Sequence, residues 1–134
     1  MKLHNKIILF FTVSIYIFSL NNQSIYAKEP TMEYHFVIQE QKIKSAHFVW
    51  RTCLEEMRLN NEITNKEIIE INKYLTKSLE CRVFESKFDQ FDRQKEVLSI
   101  SRVDNLVKKG LMSEKQCLSF KNRLQNHNYE KLLN

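Results

Sequence analysis

The chain is 134 residues long and carries one glycine, one proline, three cysteines and a formal charge of +5. So little glycine and proline excludes the repeated tight turns on which all-β folds depend. Basic and acidic residues are interspersed, with no like-sign block longer than Lys108-Lys109, which excludes the basic stripe of a nucleic-acid binder and a polybasic membrane patch.

Residues 1–27 read as a cleavable signal peptide. Lys2 and Lys6 form a basic start, Ile7 to Leu20 a 14-residue apolar run, and Ser24-Ile25-Tyr26-Ala27 ends on a small residue. The run stops at Asn21-Asn22-Gln23, short of the 18 or so residues of a membrane span, so no stable span is expected after cleavage. The mature chain would begin at Lys28 and live in the periplasm or outside the cell. Removing Lys2 and Lys6 from the 21 basic residues leaves 19 against 16 acidic ones, a net +3. Residues 28–134 suffice for a single domain.

The expected fold is all-α, a bundle of about four helices in two packed halves stapled by one disulfide. Phe36, Ile43, Ala46, Trp50, Cys53, Leu54 and Met57 fall on one side of a helix predicted over 31–59, with Asn60-Asn61 ending it. Thr64 and Glu67 have the spacing of a capping box, flanked by Ile63 and Ile68 as a hydrophobic staple. The second helix then presents Ile68, Ile71, Leu75 and Leu79. Phe84, Phe88 and Phe91 recur at helical spacing on nearly the opposite side, so the helix either breaks near residues 80–83 or changes partner there. Gln94 to Ile100 reads as a loop or frayed end. Ser101 to Asp104 opens a third helix closed by Lys108-Lys109-Gly110, and Ser113 with Gln116 opens a fourth bearing Cys117, Phe120 and Leu124. The tail from Asn126 is expected to fray.

Residues 103–124, with Leu106, Gly110-Leu111-Met112-Ser113, Lys121 and Leu124, resemble the short C-terminal helical hairpin of the SHOCT domain. The Glu-Phe pair usual after that turn is Gln116-Cys117 here. Any glycine-stopped, serine-capped hairpin carries the same pattern, and the stretch is read as that alone.

An oxidising compartment favours pairing two of Cys53, Cys81 and Cys117. If helix two runs on toward Phe91, Cys117 returns to the level of Cys81. The expected bridge is therefore Cys81 to Cys117, with Cys53 buried against helix two; a homodimer through Cys53 is not favoured. No C-x-x-C spacing exists for a redox or zinc motif. His35, His47 and His127 stand alone, and no His-x-x-x-His or Glu-x-x-His spacing places two ligands on one face. Glu55-Glu56, and Glu67 with Glu70, are the carboxylate pairs acid-base chemistry could use, but both fit solvated helix faces. Neither catalytic residues, metal ligands nor a cofactor are expected.

That leaves surface. Val37, Phe48 and Leu59 share a second side of helix one at 11-residue spacing, where they either pack on the rest of the domain or stand free for a partner. The function class that follows is a small exported protein acting by binding another exported or envelope protein of a bacterium, of inhibitor, immunity or assembly-factor type. A carrier of a small apolar ligand is the alternative, and a hydrolase a weaker one.

Overall fold

The computed structural model describes residues 31–134; the expected leader and its cut after Ala27 lie outside the described residues. All regular structure among those residues is helical: α1 (Met32–Leu59), α2 (Asn65–Leu79), α3 (Lys87–Leu98), a 3-10 turn (Ile100–Arg102), α4 (Asp104–Lys108), α5 (Glu114–Asn126) and α6 (Glu130–Leu133). None of these helices is long and apolar enough to cross a membrane.

A chain with one glycine must still stop its helices, and it does so with asparagine. Around Asn61 the Glu62 N–H donates to the Met57 carbonyl at 2.9 Å and the Asn61 N–H to Arg58 at 3.0 Å. This is a Schellman stop, in which the residue after the cap is left-handed. The same pair of bonds closes α4 at Gly110 and α5 at Asn128. The three φ values are 57°, 69° and 52° respectively. Asparagine is one of the few residues with a Cβ that adopt this region readily, its short polar side chain bonding locally.

Helix starts are equally explicit. Thr64 and Glu67 form the expected capping box for α2, and Ser113 with Gln116 the one for α5. The two boxes are joined, because the Gln116 side-chain amide also donates to the Glu62 carbonyl at 2.9 Å and reaches Glu67 at 3.3 Å. Ser86 caps α3 by accepting from the Asp89 N–H.

Helix α1 is the spine, packed by α2, α3, α5 and α6. Its buried stripe of Ile43, Ala46, Trp50, Cys53, Leu54 and Met57 is the one periodicity predicts. The Trp50 ring meets Phe120 edge-on at 4.9 Å and lies 6.4 Å from Tyr129.

Four expectations are corrected. The buried side chains form one cluster from Ile43 to Leu133 rather than two halves, since α3 doubles back on both α1 and α2. The stretch 94–98 is helix, with Gln94 and Leu98 buried. The tail does not fray: Tyr129 is wholly buried, its hydroxyl donates to the Leu98 carbonyl at 2.7 Å, and Leu133 is buried behind it. The Cys81 to Cys117 staple is not formed, all three cysteines being free thiols. The physical reason is the break after Leu79, which leaves Cys81 exposed in the α2–α3 loop while Cys117 is buried with its thiol against Asp104 at 3.4 Å.

Candidate functional site

The α2–α3 loop is built from its base. Glu80 leaves α2 with ψ 143°, abruptly extended, so the last α2 carbonyls need donors from elsewhere. Arg93 and Gln94 on α3 supply them. The guanidinium donates to the Ser78 carbonyl, to Glu80 at 2.8 Å, and through two nitrogens to the Glu85 carboxylate at 2.6 and 2.8 Å. Gln94 donates to the Leu79 carbonyl at 2.6 Å. The Arg93 hydrogen bonds hold the Glu85 carboxyl below its ordinary range. One planar cation thus fixes both ends of the loop in a bidentate geometry lysine cannot make.

What this clamp holds up is apolar. Val83 is 90% exposed and Phe84 101%. Phe88 is half-exposed, its ring tilted against Phe36 at 5.0 Å between centroids, and Phe36 also lies 6.0 Å from the buried Phe91. The phenylalanine triplet that reads as a packing stripe therefore contributes one core residue, one half-buried residue and one bare tip. Beside it runs a groove of about 450 Å³ between α1 and α3, with Phe36, Ile43, Leu79 and Phe91 in its walls and Cys81, His47 and Lys87 also lining it. The Lys87 ammonium stands 5.2 Å above the Phe36 ring, and burial together with Arg51 pushes His47 below its ordinary range.

Val37, Phe48 and Leu59 are 47%, 71% and 67% exposed, so they do not pack against the rest of the domain. Nor are they brought together: 11 residues of helix separate neighbours in this series by about 16 Å. Each is a single apolar side chain on the spine's outer side.

A polar network closes the other end of the bundle. The Glu56 carboxylate meets His127 Nε2 at 2.9 Å and Arg123 Nη1 at 3.5 Å. Arg123 Nη2 also donates to Glu62, which accepts from the Ser119 hydroxyl as well. Gln116, Ser119 and Arg123 lie on one face of α5, and all three reach Glu62. Under this network sits Cys53, wholly buried, its thiol raised to about 11 chiefly by burial. Cys53 is buried as expected, with its sulfur near the Glu56 carboxylate and the His127 ring. A Cys53-linked homodimer would need a surface thiol, and the exposed one is Cys81.

The expected carboxylate pairs are not assembled for chemistry. Glu55 bonds Arg58 while Glu56 turns to α5, and Glu67 is consumed by its capping box. A cavity of about 230 Å³ beside Trp50 is lined also by Tyr74, Glu96, Arg102 and Asn105, and the buried indole N–H has no hydrogen-bond partner among the described residues.

No family model, curated protein or solved structure matches this chain.

Proposed function

We propose that this protein acts by binding another protein outside the cytoplasm, with the Val83-Phe84 tip and the groove beside it as the contact surface. The observation that carries the reading is a fully exposed phenylalanine on a loop whose base is clamped by Arg93. Pre-organised aromatic anchors lose little entropy on binding, and buried aromatics dominate interface energies. The partner this surface fits offers an apolar pocket with a polar rim, because Val83 and Phe84 stand bare among charges of both signs, Arg82 and Lys87 with Glu80, Glu85 and Asp89. An inhibitor, an immunity protein or an assembly factor would use such a surface. The Trp50 cavity, about 230 Å³, falls below the roughly 300–1,000 Å³ of small-molecule sites, whereas the groove beside the tip, about 450 Å³, lies within that range; the bare Val83 and Phe84 at its edge favour a protein as its occupant.

A photo-crosslinking residue placed at position 84, and separately at Gln90 in the groove, tests the proposal in the native host. Both positions should trap the same protein, while position 118, an exposed site on α5, should trap none of it. Crosslinks to that protein from 118 and not from 84 would place the interface elsewhere.

A further inference from the structure

We propose that Cys53, Glu56 and His127 bind a divalent ion of the zinc class. One thiol sulfur, one carboxylate oxygen and one ring nitrogen from these residues lie within 4.8 Å of one another. Zinc at about 2.0–2.3 Å from each donor sets tetrahedral ligands roughly 3.4–3.7 Å apart, so side-chain rotations of about an ångström complete the site.

The arrangement follows from the fold. Cys53 and Glu56 are three residues apart on α1 and share a face. His127 is the cap residue of α5, followed directly by the left-handed Asn128, and this stop turns the chain back toward α1. The buried sulfur closes the inner side, while the half-buried Glu56 and the exposed His127 leave the outer side open to entry. Three protein ligands leave the fourth position for water, as in open zinc sites.

Donor type selects the ion. Thiolate with imidazole and carboxylate suits zinc, whereas calcium and magnesium want oxygen alone. Charge balances too. Arg123 sits between two carboxylates, bonded to Glu62 and 3.5 Å from Glu56; with Glu62 answering that cation, the ion's two charges meet one thiolate and the Glu56 carboxylate beside a neutral imidazole. The Cys53 proton leaves to solvent as the metal–sulfur bond forms, the usual coupling at such sites.

Cobalt(II) titration of the reduced, chelator-treated full chain tests this, because tetrahedral cobalt–thiolate complexes show a sulfur-to-metal charge-transfer band. One equivalent should bind with that band, zinc should displace it, and Cys81→Ser should change nothing. Loss of an outer-shell partner costs roughly 10–100-fold in affinity, so His127→Ala and Glu56→Gln, which remove ligands, should cost at least as much. Cys53→Ser should abolish the band. Because its side chain is buried and the variant can misfold, the two outer variants decide the matter in that event. Absence of the band in the wild-type protein, full affinity in both outer variants, or loss of the band in Cys81→Ser would overturn the assignment.

Discussion

Replacing Tyr129 by phenylalanine removes one hydroxyl and nothing else, and the structure gives that hydroxyl a specific task. It donates to the carbonyl of Leu98, the last residue of α3, at 2.7 Å in a fully buried setting. The last carbonyls of a helix have no partner within it, so the variant leaves a buried acceptor unsatisfied, which costs about 1–2 kcal/mol. Tyr129→Ala also removes the ring beside Trp50, and loss of a large buried aromatic costs about 3–5 kcal/mol. A domain of this size shifts its melting temperature by about 4–8 °C per kcal/mol, so Tyr129→Phe should melt roughly 4–16 °C below the parent. Thermal unfolding followed by circular dichroism reads the shift, and the near-ultraviolet signal of Trp50 should change in Tyr129→Ala. An unchanged melting temperature in Tyr129→Ala is the result a frayed tail gives, and it would refute the docking of α6.

Gly110→Ala should cost about 1 kcal/mol by the same thermal assay, from the left-handed backbone alone, since nothing lies within 4 Å of the added Cβ. Gly110→Asn should cost less, as asparagine already fills the equivalent turns at residues 61 and 128. A thiol reagent should modify Cys81 in the native protein and reach Cys53 and Cys117 only on unfolding, because both are buried and burial pushes both upward; peptide mapping that finds Cys53 labelled at native rates contradicts this. Hydrogen bonds from Ser119, Thr64, Arg93 and Lys121 hold Glu62, Glu67, Glu85 and Asp104 respectively below their ordinary values of 4.5 for Glu and 3.8 for Asp. Groups depressed in the folded state contribute stability that is complete above those ordinary values and is lost as pH falls through the lower folded ones. Melting temperature should therefore fall as pH drops below about 4.5, and Arg93→Met should flatten that acid slope; an unaltered slope in the variant contradicts the Arg93 clamp.

The elements that sequence makes legible are those whose determinants lie within one or two turns. Thr64 with Glu67, Ser113 with Gln116, and the α1 stripe from Ile43 to Met57 all sit where local pattern places them. Ser86 and Asp89 are equally local, but three phenylalanines at helical spacing mask the start of α3 that they mark. Asn128 stops α5 as Asn61 stops α1, and with that stop unread the chain past Asn126 looks polar and loose. The remaining misses are long-range. Nothing local pairs Arg93 with carbonyls 13 and 15 residues earlier, and Tyr129 reaches a carbonyl 31 residues away. The Cys53-x-x-Glu56 spacing was a visible cue for two ligands on one face, yet His127 joins it only through the fold, 71 residues from Glu56. The disulfide expectation failed for a related reason: it required α2 to continue past Leu79, and the clamp that ends it there is built from α3.

Phe84, fully exposed, is the proposed interface anchor and has no structural duty. The most direct measurement is the affinity of the purified, crosslink-identified partner for the wild-type protein and for Phe84→Ser, taken by calorimetry alongside each protein's thermal unfolding. An exposed side chain changes stability by no more than about 0.5 kcal/mol, whereas truncating an aromatic anchor costs about 2 kcal/mol or more of binding, roughly 30-fold in Kd. An unchanged melting temperature with that loss of affinity is the expected result. Equal affinity in a folded Phe84→Ser protein would contradict it.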